Sequence, residues 1–175
     1  MKKLKSSLLV CALTLSAASF AEEGTMVHVD IDSVSTSAEL APVDGIRSSG
    51  QPDEEAFSLI AEAGYVAVLD VRGAGENRGL DEAAILDQLD LEYLTLPLSS
   101  PDAINFENAG KLEKMLAEAD GPVLLHCGSG NRVGALLALM KSRQGLSDEA
   151  AIEYGRSAGL TGLEPVVRAR LSEED

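Results

Sequence analysis

Along the 175-residue chain, short continuous apolar runs alternate with segments in which apolar residues recur every three or four positions. Tyr65 to Val71, Leu91 to Leu96 and Val123 to Leu125 are runs of the first kind. They are too short for helices and rich in Val and Leu, the pattern of strands buried on both faces of a parallel sheet. Between them the periodicity predicts helices. The first follows Gln51-Pro52-Asp53-Glu54-Glu55, which puts proline and acids at a helix start; it carries Phe57, Leu59 and Ile60 and stops at Gly64. Asp81 to Gln88 reads as a short helix. Phe106 to Ala119 is amphipathic, with Leu112, Met115 and Leu116 inward and Lys111, Glu113 and Lys114 outward, and Asp120-Gly121-Pro122 ends it. After Gly145-Leu146-Ser147-Asp148, a turn and N-cap, a helix runs through about Ala158. The resulting order predicts a single three-layer α/β domain: a mostly parallel sheet of four or five strands with helices on both faces.

The ends of the chain read differently. Lys2, Lys3 and Lys5, the apolar stretch Leu8 to Phe20 and the small-x-small site Ser19-Phe20-Ala21 predict a secretory signal peptide over residues 1–21. A mostly apolar stretch of 13 residues is too short for a bilayer span, which needs about 20, so the expectation is an exported protein of the bacterial periplasm. Residues 22–42 read as a polar, acidic arm, with one alternating patch, Val27 to Ile31, that could form an edge strand; His28 there reads as solvated. The domain proper then occupies residues 43–175, its last four residues a solvated tail.

Cleavage changes the charge. The formal net charge goes from −15 to −18, because three lysines and no acids are lost. So acidic a chain argues against nucleic acid or an anionic membrane as partner. Cleavage also leaves Cys127 as the single cysteine, excluding an intramolecular disulfide, and with only His28 and His126 a thiolate–imidazole metal cluster is not expected.

Cys127 stands where the chemistry concentrates. Val123-Leu124-Leu125-His126-Cys127-Gly128-Ser129-Gly130-Asn131-Arg132-Val133-Gly134-Ala135 reads as strand, tight loop and helix. A loop entering a helix N-terminus turns backbone N–H groups inward and adds the positive end of the helix dipole, so an anion belongs there and a cysteine at its mouth is favoured as thiolate. Gly128 and Gly130 suit a loop that curls its amides inward. Arg132 adds a planar fork of donors matched to a phosphoryl oxyanion. Taken alone, a free cysteine after a strand is commonly a small core residue, and Gly-Ser-Gly is a common turn. Elsewhere, Arg72 at the end of its strand reads either as a second anion contact or as a surface arginine paired with Glu76. Asp102, in the loop Leu98 to Asp102, is either a proton donor or a turn residue after proline. His126 either orients the loop or is a hydrogen-bonded residue at a strand end.

His126-Cys127-x-x-Gly130-x-Arg132 resembles the signature loop of the cysteine-dependent phosphatases and of the rhodanese sulfurtransferases. Within these it is most similar to the bacterial dual-specificity-phosphatase-like family that includes the phosphatase-like domain of beta-lactamase hydrolase-like proteins. Ile46-Arg47-Ser48-Ser49-Gly50-Gln51-Pro52 resembles the Ser-Gly-Gln-Pro segment that opens those domains, and the likeness covers about residues 43–170. It implies Cys127 as nucleophile, Arg132 and the amides of Gly128, Ser129, Gly130, Asn131 and Val133 as the oxyanion cradle, and Asp102 as general acid. It also implies no metal or organic cofactor, and a phosphorylated small molecule or phosphoprotein as substrate. Two features depart from the pattern. Four residues rather than five separate Cys127 from Arg132, the spacing typical of rhodaneses, and Val133 replaces the Ser or Thr that usually follows the arginine. A sulfurtransferase carrying a persulfide on Cys127, or a silent anion-binding module, are the alternatives. A rhodanese would follow its loop helix with another strand; Ser147-Asp148-Glu149-Ala150-Ala151-Ile152 resembles instead the helical continuation of the phosphatases.

Overall fold

The computed structural model describes residues 41–43 and 46–173. The expected signal peptide, the arm up to residue 40 and its Val27–Ile31 strand lie outside them. Five strands form one sheet in the order β1-β2-β5-β3-β4: β1 (Ala41–Val43), β2 (Ile46–Ser49), β3 (Ala67–Arg72), β4 (Glu92–Leu98) and β5 (Val123–His126). The β4-β3-β5 core is parallel and β2 joins β5 in parallel; β1 alone runs antiparallel, against β2. Helices α1 (Glu54–Glu62), α2 (Glu82–Gln88), α3 (Phe106–Glu118), α4 (Asn131–Arg143), α5 (Asp148–Ser157) and α6 (Glu164–Ser172) complete the expected three-layer α/β domain. No described helix is long and apolar enough to cross a membrane.

Alternation along the strands sorts the core into two layers. Val68 of β3 and Leu124 of β5 pack with Phe57, Ile60 and Leu86 of α1 and α2. Ala67, Leu69, Val71, Val123 and Leu125 face the other way, against Leu112, Leu136, Leu137, Ile152 and Val167 of α3 to α6. Continuing the same alternation, Asp70 and His126, paired across β3 and β5, point to the α1–α2 side. Edge strand β4 contains Pro97 where its register against β3 shifts between Asp70 and Arg72. A residue without an N–H is tolerated there.

Three predicted helix starts show their caps. Asp53, Asp81 and Asn105 each accept a backbone N–H from three residues on, at 2.8, 3.2 and 2.9 Å. After α4 the chain continues as α5 and α6 and not as a strand, the helical continuation that the sequence resembled. The pattern analysis did not anticipate α6. Its signals are a proline in the first turn and the buried pair Val167 and Leu171, one turn apart but surrounded by Arg and Glu.

Helices α4 and α5 meet through Gly134 and Gly155. A Cβ on Gly134 would stand 2.2 Å from Leu160 N and 2.6 Å from Gly155 O, both backbone atoms that cannot swing aside. Gly134→Ala should therefore cost about 1–3 kcal/mol or more of unfolding free energy in urea titrations. An unchanged midpoint would mean that the two helices separate freely.

Candidate active site

The loop leaves β5 at its C-terminal end and enters α4, as predicted. Cys127 is fully buried, whereas Gly128 and Ser129 are exposed. Gly130 caps α4 with a left-handed φ of +79°, the conformation that requires glycine here; Gly128 has no positive φ, so of the two glycines only Gly130 is required by backbone conformation. The first i→i−4 bond of the helix is Gly134 N–H to Gly130 O at 2.9 Å. The amides of Asn131, Arg132 and Val133 precede it and stand outside the helix ladder. Gly50 forms an antiparallel bridge with Ser129, 79 positions on, so the Ser-Gly-Gln-Pro segment and the cysteine loop lie side by side.

Arg132, on the first turn of α4, is held by its own accounting of donors. Nη1 and Nη2 donate end-on to Glu76 Oε1 and Oε2, the second at 2.7 Å, and Nη1 also donates to Leu98 O at 3.2 Å. Of five N–H groups this leaves Nε–H and one Nη2–H, a second fork along one edge of the guanidinium. Nη2 faces Gly128, where a Cβ would lie 3.7 Å from it. The remaining fork is thus presented beside the loop, the position for an oxyanion. The Arg132 guanidinium, with burial opposing it, holds the Glu76 carboxyl down to about 2, and Glu76 and the neighbouring Cys127 raise Arg132 in turn. Gly73 N–H adds a bond to Glu76 at 2.7 Å. Glu76 is 39% exposed, so solvent screens the pair to about 0.2–1 kcal/mol. Glu76→Gln should accordingly loosen the guanidinium and weaken binding of inorganic phosphate about two- to fivefold, measured by isothermal titration; tighter binding would mark Glu76 as a competitor for the fork.

One sequence expectation needs correction, and three other site residues are placed more closely. Arg72 is neither an anion contact nor a surface partner of Glu76, which binds Arg132 instead. It is 1% exposed, and its guanidinium donates to Asp70 through Nε and Nη2, each at 2.9 Å, to Glu82 and to Gln51. Residues two apart in a strand share a face, which carries Arg72 into the interior beside Asp70. The Val133 side chain is buried in the core on the α3–α6 side, so only its amide faces the loop. Asn131 Oδ1 accepts from Thr161 and Leu163 N–H at 2.9 and 3.2 Å, which ties α4 to the turn before α6 and leaves only the Asn131 amide to the loop. Asp102 sits on a 3₁₀ turn, Pro101–Ala103, after β4 and so at the loop's end of the sheet. It is 95% exposed, with Arg170 Nη2 at 3.5 Å.

His126 has a partner that no sequence signal disclosed, Glu82 at the start of α2: Nε2 and Oε2 are 3.3 Å apart, both side chains fully buried. Asp70, Glu82 and His126 bring potential metal-ligand atoms within 4.8 Å of one another. They do not fit a cation. Both Asp70 oxygens and one Glu82 oxygen already accept from Arg72, Arg78, Tyr93 or Gln51, and the Arg72 guanidinium supplies the positive charge. Burial pushes the Asp70 carboxyl up, but its hydrogen bonds with Arg72 outweigh that and bring it to about 2. Burial likewise raises Glu82, and His126 and Arg72 together hold it below the ordinary range.

No family model matches the chain. It is similar to the beta-lactamase hydrolase-like protein of Agrobacterium fabrum, with 28% identity over 116 residues that cover 63% of this chain and 27% of the relative, so the match spans about a quarter of that protein's length. Among solved structures, a candidate phosphatase of Neisseria meningitidis superposes with a TM-score of 0.65 at 21% identity, over 78% of this chain and 100% of the other. A TpbA variant of P. aeruginosa in complex with pTyr superposes with a TM-score of 0.59 at 23% identity, over 78% and 90%. Both likenesses extend over 78% of this chain, which has the fold of the cysteine-dependent phosphatases.

Proposed function

We propose that the protein hydrolyses a phosphate monoester through a covalent cysteinyl-phosphate on Cys127. The observation that carries the reading is the fork of Arg132 that Glu76 and Leu98 leave over, set beside Cys127 at the start of the helix-entry loop. The Cys127 thiolate attacks phosphorus in line. An S–P bond forms as the P–O bond to the leaving group breaks, and its electron pair goes to that oxygen together with a proton from Asp102. Water then attacks phosphorus, giving its proton to the Asp102 carboxylate, and the S–P electron pair returns to sulfur. The loop amides and Arg132 hold the equatorial oxygens, each well-placed donor contributing about 2.7–4 kcal/mol at the transition state. Glu76 is unsuited to the proton transfer, since both of its carboxylate oxygens already accept from Arg132. Val133 leaves no hydroxyl to assist the departing thiolate, which makes the second step the slower one.

The pTyr carried by the TpbA structure supports the ester class. With export as the signal sequence implies, the substrate is a phosphorylated small molecule or phosphoprotein outside the cytoplasm; the net charge of −15 disfavours nucleic acid. The four-residue loop also suits a sulfurtransferase, so the deciding experiment offers both substrates. The chain is incubated with an aryl phosphate and, separately, with thiosulfate and cyanide. Phenolate release is the expected result. Thiocyanate alone would make it a sulfurtransferase, and silence in both with stoichiometric phosphate binding a binding module.

A further inference from the structure

On the α1–α2 side of the sheet, behind the loop, lies a set of charged groups that the proposed reaction does not use. His126 packs edge-on against Phe57, with ring centroids 6.2 Å apart and planes at 74°. Its Nε2 faces Glu82 Oε2 at 3.3 Å, a contact close enough for charge but not aligned as a hydrogen bond, and Nδ1 has no hydrogen-bond partner. Glu82 is anchored from its other side: Oε1 accepts from Arg72 Nη2 and, at 2.9 Å, from Gln51 Nε2. Arg72 is in turn fixed by Asp70. The array reaches the loop at two points. His126 is the residue before Cys127, and Gly50, the residue before Gln51, bridges Ser129.

Two buried groups in this state restrain each other. Turning the end of β5 would carry the imidazole off the Glu82 carboxylate and against its other packed neighbour, Phe57, a rearrangement that a close-packed interior resists. The same turn would carry Cys127 with it. We infer that Glu82 is a positioning residue for Cys127: anchored by Arg72 and Gln51, it fixes the imidazole of His126 and thereby the placement of the sulfur. In its activity arm this rests on the phosphate-ester reading; in its reactivity arm it does not.

The test uses the full chain and Glu82→Gln, which keeps the volume and an Oε1 acceptor for Arg72 and Gln51 but removes the charge facing His126. Expected for aryl phosphate is a kcat lower by about tenfold to a hundredfold with KM within about twofold. The rate at which iodoacetamide alkylates Cys127 at pH 7, followed by mass spectrometry of its peptide, should change at least about threefold, the same misplacement acting on a different reaction. Glu82→Gln combined with His126→Asn should be no worse than His126→Asn alone. A raised KM with unchanged kcat, additive losses in the double variant, or unaltered alkylation would overturn the inference. Should Glu82→Gln fail to fold, Gln51→Ala removes one anchor of Glu82 and should show the same pattern more weakly; unchanged kcat and alkylation there would overturn it equally. A wild-type chain that hydrolyses no phosphate ester defeats the phosphatase reading alone, because the alkylation comparison still decides the role of Glu82.

Discussion

Cys127→Ser should lose aryl phosphate turnover by at least about 10⁴-fold while binding inorganic phosphate with little change in affinity. An ordinary thiol is a few per cent ionised at neutral pH and intrinsically very nucleophilic. A hydroxyl ionises about as sparingly as water, whose pKa is 15.7, and no general base stands ready in the loop to take its proton. The cradle itself is left intact, since the loop amides and Arg132 belong to other residues. The variant has its own structural cost: Cys127 is fully buried against the α3–α6 core, and a hydroxyl placed there without a partner costs about 1–3 kcal/mol. Isothermal titration with phosphate and a melting curve, run beside the rate assay, separate lost chemistry from lost fold. Retained turnover would place the nucleophile elsewhere and remove the basis of both enzymatic readings.

Arg72→Met should destabilise the domain by about 3–5 kcal/mol, the usual result of removing one partner from a buried ionic group. In the native protein Asp70 and Glu82 are both fully buried and both bind this guanidinium; Arg78 and Tyr93 remain to Asp70 alone, each at 3.1 Å. The dependence on pH should also change sign. With its folded value held at about 2, below the ordinary carboxyl value of 3.8, Asp70 contributes stability that is fully present above pH 3.8 and is lost as pH falls through 2. Without Arg72, two carboxylates share a buried site and each disfavours ionisation of the other, so their folded values rise above the unfolded ones. Their contribution is then present at low pH and lost as pH rises. Urea unfolding at pH 4 and pH 7 should find the variant relatively more stable at pH 4, and the reverse order would refute this account of the buried array.

The strand, loop and helix around Cys127 were legible because each is local. An apolar run, a glycine pair and a periodic apolar segment follow one another within 15 residues. The helix after Ser147 was legible too, although Ser147 makes no side-chain cap bond, while the caps at Asp53, Asp81 and Asn105 emerged only in the structure. The charged array was not legible, for an equally physical reason. Glu82 at a helix start looks like an acid placed for the helix dipole, and only the three-dimensional fold brings it under His126, 44 positions away. Arg72 and Glu76 looked like neighbours on spacing alone, but β3 ends at Arg72 and the chain then turns over Gly73 to Glu76, which breaks the strand's alternation and sends the two side chains apart. Glu76 reaches across 56 positions to Arg132 instead. Helix α6 escaped because nine residues with two buried apolar side chains carry too short a pattern to stand out from a charged tail.

Among the described residues β4 forms an open border of the sheet, which bears on how the protein behaves when crowded. A free strand edge is a template on which a second molecule can add its own strand, and such pairing propagates into aggregates. Here that border offers Glu92 at one end, a proline with no donor near the other and a shift of register between them. An incoming strand would find a charge, a missing N–H and a broken repeat within seven residues, so this flank of the molecule is a poor seed for self-association.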